Sequence, residues 1–159
     1  MVNVNDSLTM VLFRLDDNRY ALPLAAVAHV IQAVEVTALP DAPSFVDGVI
    51  NVHGKIVPVF NLRRRLRLQQ RSLRVSDQFI LASTAARTVA LVVDEVLGVC
   101  MRNQAPLAVS DAPGAQSPFV AGVIVLDDGL VLIPDLERFL SPAQTQALEL
   151  AMDEHEHAH

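Results

Sequence analysis

The chain contains the same 22-residue segment twice. FVDGVINVHGKIVPVFNLRRRL at 45–66 returns as FVAGVIVLDDGLVLIPDLERFL at 119–140, and nine of the 22 aligned positions are identical. Random alignment would give about one or two identities. A second pair, YALPLAAVAHVI at 20–31 and VALVVDEVLGVC at 89–100, aligns at an offset of 69 residues. We therefore expect a duplicated module with two similar lobes, and a seam between them where ligands or partners bind.

Short apolar runs rich in β-branched residues dominate the chain and predict strands. They are LTMVLFRL (8–15), GVINV (48–52), KIVPVF (55–60), DQFILAST (77–84), RTVALVV (87–93), FVAGVIVL (119–126) and GLVLI (129–133). Turn-forming residues lie between neighbouring runs at 16–18, 53–54 and 128–129, as hairpins require. Pro58 falls inside one run, so we expect that strand at a sheet edge or bulged at Pro58. The pattern predicts a mainly β protein of small closed barrels.

Helical patterns are few. LAAVAHVIQAV (24–34) predicts a short helix, and SPAQTQALELAMDE (141–154) predicts a C-terminal one. In the second, Ser141 is a good N-cap and Gln144 has the spacing of a capping box. We expect residues 151–159 to form a flexible acidic and His-rich tail, and the loop at 103–118 to be mobile.

Composition excludes several classes of protein. The 159 residues carry a net charge of −6 and are 52% hydrophobic. The longest uncharged run, 20–34, is too short to span a bilayer. No secretory signal precedes the first strand, so the cytoplasm is the expected location. Cys100 is the single cysteine, which excludes an internal disulfide and a cysteine metal cluster.

Half of the twelve basic residues lie in one stretch. They are Arg63, Arg64, Arg65, Arg67, Arg71 and Arg74. One interpretation is a nucleic-acid-binding barrel that uses this run. The alternative, which we favour, is a solvated connector between the two repeats, because aromatic residues for base stacking make up only 4% of the chain.

Catalytic motifs are absent from the sequence. There is no GxSxG, P-loop, GxGxxG or HExxH. Asp127 and Asp128 are adjacent, but hairpin tips favour Asp for backbone hydrogen bonding. A metal-dependent hydrolase using His29 and His53 remains as a further alternative. We expect a binding protein rather than an enzyme, with no cofactor and no metal.

The segment GVINVHGKIVPVFNLR (48–63), with PSFVDG (43–48) before it and ALVVDEVLGV (90–99) after it, resembles the CheW family of chemotaxis coupling proteins. The family pattern is close to G-V-x-N-x-R-G-x-I-V-P-V-x-[DN]-L-R. The resemblance extends over residues 8–150 and implies two SH3-like five-stranded β-barrel lobes related by internal duplication, with a few short helices and a C-terminal helix. We place lobe 1 at 18–75 and lobe 2 at 77–140, and the N-terminal strand is free to join lobe 2.

The resemblance also implies a function. Members of the family are non-enzymatic adaptors that join the histidine kinase CheA, through its own CheW-like regulatory domain, to the cytoplasmic tips of methyl-accepting chemoreceptors. The chain would then be a monomer on its own and part of a receptor array through its partners. The residues that the resemblance assigns to a receptor-binding groove are Val27, His29, Gly48, Asn51, His53, Gly54, Val96 and Val99.

The chain departs from the family pattern at two positions. His29 stands where members usually carry an acidic residue, and His53 stands in place of the Arg of N-x-R-G. Two neutral histidines could still share one hydrogen bond. The alternative is a divergent paralogue of an accessory chemosensory pathway with altered receptor coupling. As a further hypothesis, Arg63, Arg65 and Arg67 contact acidic groups on the kinase or a receptor.

Overall fold

A computed structural model describes residues 9–101, 119–126 and 129–157. Ten strands make up most of the structure. They are β1 (Thr9–Leu15), β2 (Asn18–Pro23), β3 (Val27–Gln32), β4 (Val46–Val52), β5 (Lys55–Phe60), β6 (Gln78–Ser83), β7 (Thr88–Val93), β8 (Glu95–Met101), β9 (Val120–Leu126) and β10 (Gly129–Pro134). The helices are α1 (Leu62–Arg65), α2 (Pro142–His157) and two 3-10 turns, Leu24–Ala26 and Leu136–Arg138. All seven strands predicted from apolar runs are confirmed.

The strands form two five-stranded sheets, each curled into an SH3-like barrel. Lobe A has the order β8-β1-β2-β10-β9, and lobe B has the order β3-β6-β7-β5-β4. In each lobe one parallel pair, β10 with β2 or β5 with β7, lies among antiparallel neighbours. Strands β1 to β5 of the first copy are equivalent to β6 to β10 of the second. When each strand of lobe A is replaced by its equivalent, the order of lobe B results. The fold thus has an internal two-fold symmetry.

The two copies of the module exchange strands. The first copy comprises β1 to β5 and the second β6 to β10, yet lobe A combines β1 and β2 with β8, β9 and β10. Lobe B combines β6 and β7 with the remaining three strands of the first copy. The expected bounds of 18–75 and 77–140 therefore do not match the lobes. Similarity between repeats identifies equivalent strands but carries no information on which strands pair.

Each lobe has its own core, and a third core lies between the lobes. The lobe cores have equivalent members, for example Ile50 and Val57 in lobe B and Ile124 and Val131 in lobe A. The shared core takes side chains from both lobes and from α2. Its largest members include Phe13, Leu22, Phe60, Leu91, Phe139 and Leu148. Burial of this shared apolar surface is the main force that holds the lobes together.

The predicted helix at 24–34 is wrong. Only Leu24–Ala26 forms a 3-10 turn, and residues 27–32 form β3, which pairs with β6. The β-branched residues of this segment fit a strand well, and pairing with β6 satisfies the backbone hydrogen bonds that a helix would otherwise supply.

Pro58 is neither in an edge strand nor at a bulge of its own strand. β5 lies between β4 and β7, and its pairing with β7 begins only at Val59. No ladder hydrogen bond to β7 is therefore lost at Pro58. The bulged residue of this hairpin is Asp47 on β4.

The C-terminal helix begins as the sequence predicts. The Ser141 N–H donates to Gln144 Oε1 at 2.9 Å, and the Gln144 N–H donates to Ser141 Oγ at 3.2 Å. The helix continues to residue 157, and Ala151 and Met152 belong to the shared core. A flexible tail from residue 151 is therefore wrong, because two apolar side chains anchor that turn. Residues 158–159, the predicted mobile loop at 103–118 and the predicted turn at Asp127 and Asp128 lie outside the described residues. No helix of the described ranges is long and apolar enough to cross a membrane.

Candidate functional site

The edge strand β8 of lobe A is hydrogen-bonded to β6 of lobe B, the neighbour of the edge strand β3, at a seam between the lobes, which we call the β3–β8 seam. The Val96 N–H of β8 donates a 2.7 Å hydrogen bond to the side-chain oxygen of Gln78. Gln78 in turn pairs in register with Gln32, the last residue of β3. β3 and β8 are equivalent strands of the two copies, and each is bulged at the equivalent residue, Ala28 or Leu97.

The solvent-facing side of the seam is apolar. The equivalent residues Val30 and Val99 are 40% and 59% exposed, and Leu97 and Met101 add further exposed apolar surface on β8. The nearby Glu95 carboxylate is paired with Arg14 at 3.6 Å. Exposed apolar side chains on two neighbouring edge strands are typical of a protein-binding surface.

The valines assigned to the groove from the sequence lie on one face of their strands but differ in depth, since Val96 and Val99 pair with Phe13 and Val11, which are two residues apart on β1. Val27 and Val96 are half-buried and pack against the shared core, whereas Val99 points to solvent. The bulge at Leu97 adds one residue between them, which keeps Val96 and Val99 on the same face although their positions differ by three. Val30 was missed. Its alignment with Val99 in the internal repeat was the signal that could have identified it.

The signature residues Asn51, His53 and Gly54 form the tip of the β4–β5 hairpin. Asn51 Oδ1 accepts a 2.9 Å hydrogen bond from the Gly54 N–H. His53 and Gly54 have φ angles of 51° and 86°, which are those of a type I′ turn. The geometry thus assigns Asn51 and Gly54 to turn formation, and they present the exposed side chain of His53 at the tip.

Gly48 allows a close backbone approach. Its φ is +151°, and a Cβ at this position would lie 2.1 Å from the carbonyl oxygen of Thr37. Thr37 exchanges two backbone hydrogen bonds with Val49, which close the lobe B barrel beside β4. A side chain at Gly48 would push this bridge apart.

His29 and His53 do not share the hydrogen bond that the sequence left open. His29 is exposed on β3 opposite Leu81, and His53 lies at the hairpin tip. No hydrogen bond joins these two described residues. Within the ranges that the structure describes, no group of three or more His, Cys, Asp or Glu side chains has the arrangement of a metal site.

The arginine run is not a solvated connector, and two of its members are held in an ion-pair network. Arg63 is only 7% exposed, and its Nη2 lies 2.8 Å from Asp94 Oδ1 and 2.9 Å from Asp16 Oδ1. Arg71 donates to both oxygens of Asp77, at 2.7 and 2.9 Å, and also to Asp94. We call these five residues the Asp94 network. It was missed because its carboxylates are far apart in sequence.

Arg14 Nη1 lies 3.5 Å from Asp94 Oδ2, so three arginines in all face the three carboxylates of the network. Burial alone would raise the pKa of Asp94, but the Asp16 N–H, Arg63 and Arg71 donate to its carboxylate and lower that pKa overall. Burial would also lower the pKa of Arg63, and its hydrogen bonds to Asp16 and Asp94 raise that pKa instead. The hydrogen bonds to Asp77 are the main reason that the pKa of Arg71 is raised.

Arg65 is also engaged inside the protein. Its guanidinium lies over two phenylalanine rings, and its Nη2 donates a 2.8 Å hydrogen bond to Gln144 Oε1. Burial lowers its pKa. Of the three arginines assigned to partner contacts from the sequence, only Arg67 is exposed. Arg64 and Arg74 are exposed as well, and neither was assigned to that role.

Two β-barrel lobes that exchange strands, with exposed apolar side chains along their seam, define a two-lobed scaffold domain. A family model described as a CheW-like domain matches residues 9–144, and the chain belongs to the CheW family of non-enzymatic scaffold proteins in chemotaxis signalling. The family resemblance and the mainly β two-barrel fold predicted from the sequence are confirmed.

Named relatives support this assignment. The chemotaxis protein CheW of Thermotoga maritima is 32% identical over 131 residues, which cover 80% of this chain and 84% of the relative. The CheW of Treponema pallidum is 24% identical over 154 residues, 91% of this chain and 89% of the relative. The crystal structure of the scaffolding protein TtCheW from Thermoanaerobacter tengcongensis superimposes with a TM-score of 0.77 and 26% identity, covering 87% of this chain and 95% of that one.

Proposed function

We propose that this protein couples methyl-accepting chemoreceptors to the histidine kinase CheA, and that a receptor helix binds at the β3–β8 seam. The observation that carries the proposal is the exposed apolar surface on two equivalent edge strands. An amphipathic helix can place its apolar face against Val30, Leu97 and Val99. The kinase would be bound through its own CheW-like regulatory domain. In the cell the protein would lie in the cytoplasm and reach the membrane arrays through these partners.

The experiment combines the purified chain with its cognate kinase and a receptor cytoplasmic fragment. We expect receptor-dependent kinase autophosphorylation only when the chain is present. Val99→Lys should weaken receptor binding at least about tenfold, because it places a charge on the apolar surface. Leu150→Lys is the matched control, since Leu150 is 57% exposed on α2 and Val99 is 59% exposed. Absence of binding to either partner, or equal losses in both variants, would refute the proposal.

A divergent paralogue with altered receptor coupling is a second candidate, favoured by the exposed His53. We expect His53→Arg to change receptor affinity while kinase affinity stays the same. If both affinities are unchanged, the histidine has no part in coupling and the candidate fails.

Nucleic-acid binding through 63–74 is disfavoured by the internal contacts of Arg63, Arg65 and Arg71. We expect no RNA or DNA binding at 50 mM salt, where a phosphate-dominated interaction is strongest.

A further inference from the structure

Asp94 is the single residue between β7 of lobe B and β8 of lobe A. β7 ends at Val93 in lobe B, and β8 begins at Glu95 in lobe A. The direction in which β8 leaves lobe B therefore depends on the conformation of Asp94. Two residues later the chain reaches Val96, and the exposed apolar side chains of β8 follow.

The contacts of Asp94 come from both lobes. From lobe A, the Arg14 carbonyl accepts a 3.0 Å hydrogen bond from the Asp94 N–H, and the Asp16 N–H donates to Asp94 Oδ2 at 2.8 Å. From the connector between β5 and β6 of lobe B, Arg63 donates to both carboxylate oxygens at 2.8 and 3.1 Å, and Arg71 donates to Oδ1. One carboxylate thus fixes the first turn of lobe A against the connector of lobe B.

The fold itself does not require this arrangement. The equivalent passage in the first copy, from β2 in lobe A to β3 in lobe B, is the 3-10 turn at Leu24–Ala26. The residue equivalent to Asp94 is Ala25, which is exposed and has no charge. The same crossing is therefore made without ion pairs in one copy and with the Asp94 network in the other. Since the internal symmetry is otherwise close, the network serves β8 in particular.

A second anchor acts on the same strand. The Val96 N–H donates to the Gln78 side chain, which ties the start of β8 to the first residue of β6, whose register partner is the last residue of β3. Asp94 and Gln78 thus hold the start of β8 from two directions. Beyond them, Leu97, Val99 and Met101 present their side chains to solvent.

We infer that Asp94 is a positioning residue for partner binding at the β3–β8 seam. It holds β8 at the angle to β3 that a bound helix requires and does not itself contact the partner. The inference rests on the proposed function, because it concerns the same seam.

The test uses Asp94→Asn in the full chain. The variant is expected to fold, because the ion pair between Arg63 and Asp16 and the ion pair between Arg71 and Asp77 remain. Its control is Glu149→Gln, which breaks the 2.6 Å ion pair between Arg87 and Glu149 on α2, away from the seam. All measurements are made at a temperature where circular dichroism shows each variant fully folded.

Two quantities are measured. We expect amide hydrogen exchange in 95–101 to rise about tenfold in Asp94→Asn while exchange in β7 is unchanged. We expect affinity for the receptor fragment to fall about tenfold. Glu149→Gln should alter neither quantity more than about twofold. In a Val99→Ala background, Asp94→Asn should cause a smaller loss than in the wild type, because both changes act through β8.

Several results would overturn the inference. If Asp94→Asn leaves the receptor affinity unchanged, Asp94 has no positioning role, whether or not amide hydrogen exchange in β8 changes. A lower affinity with unchanged exchange in β8 means that Asp94 contacts the partner directly. If the wild-type chain does not bind the receptor fragment, the proposed function fails, and the exchange comparison alone decides whether Asp94 positions β8.

Discussion

Phe45 and Phe119, equivalent residues of the two copies, flank a single guanidinium. Cζ of Arg65 lies 3.8 Å from the centroid of the Phe45 ring and 4.6 Å from that of Phe119. The same side chain donates to Gln144 Oε1, which also accepts from the Ser141 N–H at the start of α2. Arg65 thus connects both copies to the C-terminal helix.

Arg65→Ala should lower the free energy of unfolding by about 2 kcal/mol, because it removes two cation–π contacts and a charged hydrogen bond. Urea denaturation checks the value. Arg64→Ala is the matched control, since Arg64 is the preceding residue of α1 and its side chain is exposed. A loss in Arg65→Ala no larger than in this control would contradict the interpretation.

Gly48→Ala should destabilise the protein by more than about 3 kcal/mol or prevent folding, because the new Cβ would lie 2.1 Å from the Thr37 carbonyl oxygen. Gly98→Ala provides the comparison. Gly98 also has a positive φ, +135°, but an added Cβ meets nothing within 4 Å. Gly98→Ala should therefore lower the free energy of unfolding only by the backbone strain, about 1–2 kcal/mol. Thermal unfolding of the two variants measures the difference, and similar melting temperatures would refute a steric role for Gly48.

Asp47→Asn should stabilise the protein at pH 7 and have no effect at pH 3. Burial raises the pKa of Asp47, and its hydrogen bond from Asn61 and the nearby Arg64 offset this only in part. A raised carboxyl pKa means that the folded state binds the proton more tightly than the unfolded state does. The stabilisation is therefore present below the ordinary value of about 4 and is lost as the pH rises through the folded pKa.

The expected gain for Asp47→Asn at pH 7 is less than about 1 kcal/mol, because solvent reaches part of the side chain. An asparagine oxygen can still accept the hydrogen bond from Asn61. Urea denaturation at both pH values gives the two free energies of unfolding. A variant that is less stable than the wild type at pH 7 would show that the ionised carboxylate is favourable.

Ser141→Ala should lower the free energy of unfolding by about 1 kcal/mol, because it removes the hydroxyl that caps the first turn of α2. The 3.2 Å hydrogen bond from the Gln144 N–H to Ser141 Oγ would be lost. Ser83→Ala, at the exposed end of β6, is the control and should change stability by less than about 0.5 kcal/mol. Equal effects in both variants would show that the cap contributes nothing.

Local patterns predicted most of the strands but not how they pair. Runs such as 55–60 and 87–93 have strand composition on their own, and the repeat shows that the copies are equivalent. Pairing of β5 with β7 depends on contacts across about 30 residues, which no local pattern encodes. The segment at 24–34 shows the same limit, because pairing with β6 outweighs its helical spacing.

The site could be predicted in part. The signature identified the hairpin tip at His53, and the internal alignment contained the pair Val30 and Val99. The Asp94 network could not be found, since Asp16, Asp77 and Asp94 approach one another only after the lobes have formed. An arginine cluster in sequence gives no sign of which members are buried, and here Arg63 is buried while Arg64 is exposed.

The exchange of strands between the copies has a consequence for folding. No cut in the chain yields two self-sufficient halves, because a fragment ending after β5 would hold two strands of one barrel and three of the other. The arrangement is that of a strand-swapped homodimer whose subunits have been fused end to end. A dimer of that kind would assemble at a rate set by its concentration. In the fused chain the two copies are covalently linked, so each meets the other at a roughly millimolar effective concentration. The two barrels therefore stay assembled at any dilution.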